Sequence, residues 1–368
     1  MKLKDFVNFN PTEKLSKTVN YRKFSMDQIV PFTRYVESNN YALFKGGSKF
    51  RNGDTIFARI TPCLENGKTS YISCLNENEI AFGSTEFIVV RAKPNISLPL
   101  FVFYLMISTH IRDKAIISMT GSSGRERVQQ IALNNIDIPK YSLEFQQHIV
   151  NTIGSVDDLI ENYQKRIEII CDILNLSLQI YEEKVSIEHY YPEIIKSSIT
   201  KFDKIKTYID TSTLEGINNI SDGEVIEYNK RPSRANMQPV ENSVWFAKMK
   251  ESNKKLILTK QDNDLIDGVI LSTGFLGILA SDQLPLSFLS ALIISKDFNL
   301  QRDLNSVGTT MAGVNNETFL KILVPLLTDI ELKEYELKYR PYIDELSLLR
   351  RKINRLKKIK AELLSKYF

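Results

Sequence analysis

Few sets of residues in this chain have the types and spacing that catalysis needs. Glu182-Glu183-Lys184 has the Glu-x-Lys spacing of many metal-dependent nucleases. No acidic residue on a preceding strand completes a metal site, and the tripeptide falls in a stretch that reads as helix. Solvated charge is the better account. Gly46-Gly47-Ser48-Lys49 lacks the spaced first glycine and the following helix pattern of a phosphate loop. No GxGxxG follows a strand, and there is no Asn/Asp-Pro-Pro-aromatic tetrapeptide of the amino-methyltransferase kind. His110, His148 and His189 have no Ser or Cys partner at a recognisable elbow. Cys63, Cys74 and Cys171 are odd in number and lack CxxC spacing, which argues against zinc and for reduced thiols. Missing catalytic groupings in a chain of 368 residues favour recognition or scaffolding over enzymology.

The remaining polar sets are loops. Thr120-Gly121-Ser122-Ser123-Gly124 runs into Arg125 and Arg127, and Val307-Gly308-Thr309-Thr310 stands in a similar place later on. The apolar content of 43% supports proper cores, so these loops have a folded frame to sit on. A net charge of +4 permits a nucleic-acid partner without requiring one. The start, MKLKDFVNFN, has no apolar h-region, and no run reaches the ~18 apolar residues of a membrane span. A cytoplasmic, nucleoid-associated protein without membrane contact is expected.

The frame repeats itself. Ile149, Ile153, Val156, Ile160, Tyr163, Ile167 and Ile170 align with Tyr335, Tyr339, Tyr342, Leu346, Leu349, Ile353 and Leu356, about 186 positions on. The 4-3-4-3 steps are a heptad seam, the pattern of a long helix packing along another. The offset also relates Leu98-Pro99-Leu100 to Leu284-Pro285-Leu286 and Glu65-Asn66-Gly67-Lys68 to Glu251-Ser252-Asn253-Lys254. Slightly off it, Phe57-Ala58-Arg59 matches Phe246-Ala247-Lys248, and Ser84-Thr85 matches Ser272-Thr273. One long unit is duplicated, unlike a solenoid with periods of about 20–50 residues.

Each half predicts the same elements. Ile56–Ile60 and Phe87–Val90 read as strands, and Leu100–Ser108 and Leu286–Ser295 as buried helices. The polar loop follows, then a last strand ending at Ile138-Pro139 or Val324-Pro325. The heptad helices cover about Leu143–Ser186 and about Asp329–Phe368, rods of roughly 60 Å. Ser177 and Lys360 break the seams, as register-fixing polar residues do. Leu159, Ile173 and Ile180 add a flanking apolar column that suits either the chain's own domain or another subunit. Arg350, Arg351, Lys352, Arg355, Lys357, Lys358, Lys360 and Lys366 read as a solvated basic face with phosphate contact as the rival. A rod of that length matches ~18 bp of duplex as an outer bound.

Gly53-Asp54-Thr55-Ile56-Phe57-Ala58-Arg59-Ile60-Thr61-Pro62-Cys63-Leu64-Glu65-Asn66-Gly67-Lys68 and Gly83-Ser84-Thr85-Glu86-Phe87, with the loop and the helix after Pro139, resemble a known family. It is that of the DNA-specificity subunits of type I restriction–modification systems, and the layout spans both halves. The resemblance implies an α+β fold. Two similar mixed α/β target recognition domains, at 1–142 and 188–327, are separated by two long antiparallel coiled-coil helices, at 143–187 and 328–368, in a pseudo-twofold repeat. It implies a non-catalytic subunit reading a bipartite target on double-stranded DNA. Two methyltransferase subunits and two restriction/motor subunits assemble around it and carry S-adenosylmethionine, ATP and magnesium; the chain itself needs no cofactor. The second half departs from the pattern: Thr61-Pro62-Cys63-Leu64 has no counterpart, Gly274 replaces Glu86, and Arg125 and Arg127 fall near Met311 and Ala312.

Within that implied role, phosphate contacts position and base contacts specify. Arg125 and Arg127 are candidates to clasp guanine O6/N7 or a phosphate. Ser122, Ser123, Thr309 and Thr310 are candidate phosphate donors or ordinary turn residues. Arg59 and Lys68, with Lys248 and Lys254 in the second half, are candidates for the same surface, joined by Ser84 and Thr85. Glu86 would accept from cytosine N4, orient an arginine, or make a strand-edge hydrogen bond. Two rivals stand beside this reading: a coiled-coil adapter binding proteins, and a stand-alone nuclease or methyltransferase.

Overall fold

A computed structural model of the chain describes residues 1–220, 223–308 and 312–368. It divides into two compact units, residues 1–160 with 356–368, and residues 161–355.

In the first unit the apolar and β-branched runs build two four-stranded sheets. One has the order Val7–Phe9, Phe87–Ala92, Asp54–Ala58, Thr69–Tyr71 and is antiparallel throughout. The other has the order Tyr41–Leu43, Asn20–Phe24, Ala81–Gly83, Ser48–Phe50, and its middle pair is parallel. Asp54–Ala58 is buried at every position, the burial of a strand covered on both faces. Pro99–Ile107 is a helix apolar on all sides, so it has to be enclosed. It packs with Phe57, Ile88 and Val90 in the unit's main core.

The second unit repeats the plan. Its antiparallel sheet runs Glu193–Ile194, Phe275–Leu279, Ser243–Ala247, Lys255–Leu258. Its mixed sheet runs Glu224–Ile226, Lys206–Ile209, Val269–Ser272, Ala235–Met237, again with a parallel middle pair. The helix Leu286–Ile294 takes the place of Pro99–Ile107 and is buried along its length.

The long helices are Leu143–Ser177 and Asp329–Tyr367, 35 and 39 residues, or about 52 and 58 Å. Each gives a segment to each unit. In the first, Ile149 and Ile153 share a core with Leu363 and Leu364, and Lys360 Nζ donates to Asp157 Oδ1 at 2.7 Å. In the second, Lys352 lies over the Tyr163 ring, Arg166 pairs with Glu345, and Ser177 bonds to the Tyr335 hydroxyl. Within each unit, numbers rise along one segment as they fall along the other, so the segments lie antiparallel there.

Several sequence expectations need correcting. The first helix stops at Ser177, not near Ser186 or 187, and Lys184–Ser186 is a strand paired with Leu323–Pro325. The seam runs out at Lys184, while Val185 gains a β-branched partner in Val324. Glu182-Glu183-Lys184 is therefore not helical. The last strand of the first half shrinks to a single bridge, Lys2 with Asp137. Of the flanking column, for which packing on the chain's own domain and docking of another subunit are both open, Leu159 and Ile180 are exposed and Ile173 is half-buried. In the C-terminal basic run, Arg350 is buried between Asp262 and Asp264 at 2.7 Å to each, and Lys360 is buried against Asp157. Those two cations are structural.

Among the described residues no helix is long and apolar enough to cross a membrane. Among the same residues no cluster of three or more His, Cys, Asp or Glu could hold a metal.

Candidate nucleic-acid interface

In the first unit the polar corner grows from the end of the central strand. Arg59 N donates to Glu86 O at 3.0 Å, and Val128 N donates to Arg59 O at 2.8 Å. Thr61 N donates to Glu126 O at 3.0 Å, so the chain returning from the polar loop lies along residues 59–61. Thr120 and Arg127 exchange main-chain bonds of 3.1 and 2.9 Å and close the loop. Gly121 and Gly124 supply its left-handed positions, at φ +143° and +77°.

Glu86 and Arg127 brace this loop. Arg127 Nη2 donates to Glu86 Oε1 at 2.7 Å, and Nε donates to Oε2 at 3.0 Å. Those bonds hold the Glu86 carboxyl below its usual range and raise Arg127 above its own. Arg59 Nε stands 4.0 Å behind, on the same carboxylate. Of the readings for Glu86, the geometry is that of a carboxylate orienting an arginine. Arg127 spends its remaining Nη1 on Arg125 O at 3.2 Å, so its fork is committed within the protein. Arg125 differs. It is exposed, and its guanidinium has no ion pair or hydrogen bond among the described residues. Ser122 and Ser123 are exposed beside it, and Ser122 O accepts from Arg125 N at 2.9 Å.

The other first-half candidates are tied down. Ser84 Oγ accepts from Glu86 N at 3.1 Å and shapes the turn; Thr85 is exposed next to it. Lys68 Nζ donates to Met26 O at 2.9 Å. Gly67 lies under the Phe32 ring, and a Cβ there would come within 2.5 Å of it. The Glu65–Lys68 segment thus works as scaffold.

The second unit keeps the main-chain corner and changes the side chains. Lys248 N donates to Gly274 O at 2.9 Å, Val314 N to Lys248 O at 3.0 Å, and Val307 and Gly313 exchange bonds of 3.0 and 3.1 Å. Gly274 and Gly313 therefore occupy the places of Glu86 and Arg127, which corrects the expected counterpart Ala312 to Gly313. Lys254 Nζ donates to Thr211 O, as Lys68 does to Met26 O. Lys248 Nζ donates to Thr273 O at 3.0 Å, and burial pushes its ammonium down. Thr309 and Thr310 lie outside the described residues.

Sequence reasoning passed over the turn 228–234. Arg231 lies over the Tyr228 ring at 4.3 Å and donates to Tyr228 O at 2.6 Å. Arg234 lies beside Gly274: a Cβ built there would sit 3.1 Å from its Nη2. The signal was present as Lys230-Arg231-Pro232-Ser233-Arg234, a basic run broken by a proline. It lacks any counterpart in the first half, so a search for repeats misses it.

Residues 1–170 match the family model described as the type I restriction modification DNA specificity domain. Over 122 residues the chain is 36% identical to the specificity subunit of the type I restriction enzyme EcoAI of Escherichia coli, covering 33% of this chain and 20% of that protein. Over 125 residues it is 32% identical to the EcoEI specificity subunit of the same organism, with the same coverages of 33% and 20%. The matches thus span about a fifth of the length of these relatives. The solved structure of a type I restriction-modification system S subunit from M. genitalium covers 100% of this chain and 95% of its own, at a TM-score of 0.50 and 14% identity. At that identity the likeness concerns the fold.

Proposed function

We propose that this chain, whose residues 1–170 match the model of the type I restriction modification DNA specificity domain, is the non-catalytic specificity subunit of such a complex. Each unit reads one half of a bipartite duplex target. The two long helices pair as an antiparallel coiled coil and set the gap. Two methyltransferase subunits and two motor-nuclease subunits supply the chemistry, with S-adenosylmethionine, ATP and magnesium on those partners.

The observation that carries this reading is the first unit's corner. An arginine with no partner among the described residues stands on a glycine-bent loop, and a carboxylate–arginine strut fixes that loop to the sheet. A rigid base beneath a free guanidinium suits base discrimination, because little entropy is lost when the fork meets guanine O6 and N7.

The test is co-expression with a methyltransferase subunit, followed by mapping of modified bases in host DNA. A bipartite motif is expected. Removing one heptad from each helix, at facing positions, shortens the rod by ~10 Å and should shorten the gap by about 3 bp with both half-sites unchanged. A motif without a gap, or half-sites that change while the gap does not, contradicts the reading.

A further inference from the structure

Resting on that duplex-reading role, we propose that Arg234 is the base-reading side chain of the second unit and takes an acceptor-rich base edge, guanine O6/N7, in the major groove. The first unit's corner cannot be copied here. Gly274 brings no carboxylate, and a Cβ on Gly313 would meet Lys248 O at 2.6 Å, so no arginine fits in the place of Arg127 without a main-chain shift. Arg234 enters from a different element and puts its Nη2 3.1 Å from where the Glu86-equivalent side chain would begin.

Two of the cations described at this corner are spent. Lys248 donates to Thr273 O and Lys254 to Thr211 O. Arg234 is exposed and makes no side-chain hydrogen bond or ion pair among the described residues. The nearby Asp210 is turned to its own loop, accepting from Ser212 Oγ at 2.6 Å and from Thr213 N at 3.0 Å. Among the described residues the result is a positive corner with one uncommitted planar donor. It fits the two acceptors of guanine and not the amino donor of cytosine. Arg231 is the positioning residue. Its bonds to Tyr228 O at 2.6 Å and Ala235 O at 3.2 Å clamp the turn that launches Arg234.

The test is motif mapping with the full chain in its methyltransferase complex, comparing wild type, Arg234→Ala and Arg234→Lys. Arg234→Ala should relax one position of one half-site, cutting discrimination there roughly tenfold or more, while the other half-site stays intact and reports correct folding. Arg234→Lys keeps the charge without the planar fork and should relax the same position. Either of two results overturns the assignment: both half-sites unchanged in Arg234→Ala, or a full motif restored by lysine, which marks a phosphate contact. A wild-type chain that directs no bipartite motif sinks the duplex-reading role itself, so the two failures are distinguishable.

Discussion

Where strand end meets polar loop, the first unit carries Glu86 and Arg127 and the second carries Gly274 and Gly313, yet the main-chain bonds around them agree within about 0.2 Å. The lysine ties agree as well, with Lys68 on Met26 O and Lys254 on Thr211 O. What the halves share is therefore main-chain scaffold. What differs is the side chain projecting from it: a strut with a free Arg125 in one, an open corner with Arg234 in the other. The helix segments differ in the same way. The buried Asp157–Lys360 pair of the first unit has Ile343 and Leu174 at the corresponding positions of the second, both fully buried in its core. Identical frames tolerate divergent occupants where the occupant is satisfied locally.

The largest effect should come from breaking that asymmetry in the helices. Lys360→Met leaves Asp157 buried, with the Tyr104 hydroxyl as its remaining donor, and should destabilise the first unit by about 3–5 kcal/mol in denaturant unfolding. Adding Asp157→Leu, which makes the first unit resemble the second, should recover most of the loss. A single-variant cost under about 1 kcal/mol would show that the pair matters no more than a surface one.

Next comes Lys255, whose counterpart in the first unit is Thr69: each pairs with the aromatic residue of its central strand. Burial pushes the Lys255 ammonium down to about 8, and its one acceptor among the described residues, Ile294 O, is 3.5 Å away. The unfolded chain holds that proton more tightly. The penalty is thus complete below about pH 8, and stability rises as pH climbs from there toward the ordinary lysine value. Lys255→Met should stabilise the second unit by roughly 3 kcal/mol at pH 7 and flatten that rise. Thr69→Val should change the first by less than about 1 kcal/mol, with no pH dependence. Parallel pH profiles for Lys255→Met and wild type would contradict this.

The smallest effect tests the strut. Glu86→Gln weakens the two bonds to Arg127 and should lower discrimination at the first half-site several-fold, leaving the second untouched, as measured by modified-site mapping. In wild type the Glu86 carboxyl is held down by Arg127, so the strut persists at neutral pH and is lost only as pH falls through that lowered value. An equal effect on both half-sites would mean that Glu86 acts on the whole fold.

Much of this was legible in the sequence because it is periodic or repeated. The seam residues Ile149, Ile153, Leu346 and Leu349 are buried as their spacing demands, and the apolar run after Pro99 is an enclosed helix. Glu86 and Arg127 were visible as types but not as a pair, since 41 residues separate them and only the sheet brings them together. Lys68, Lys248 and Lys254 looked like surface cations. A lysine stem long enough to reach a main-chain carbonyl has no sequence mark. Lys360 was legible as a polar break in the seam as well as a member of the basic run, but the partner that buries it, Asp157, lies on the other long helix. The helix end at Ser177 was missed because a strand pairing distant in sequence, Val185 with Val324, decides it through tertiary contact.

The most direct test of two readers on one scaffold is to map the modified motif for wild type, Arg125→Ala and Arg234→Ala under one set of conditions. Each variant should relax one half-site, and the two variants should relax opposite halves at an unchanged gap. Loss of discrimination in the same half by both, or in neither, would contradict the account.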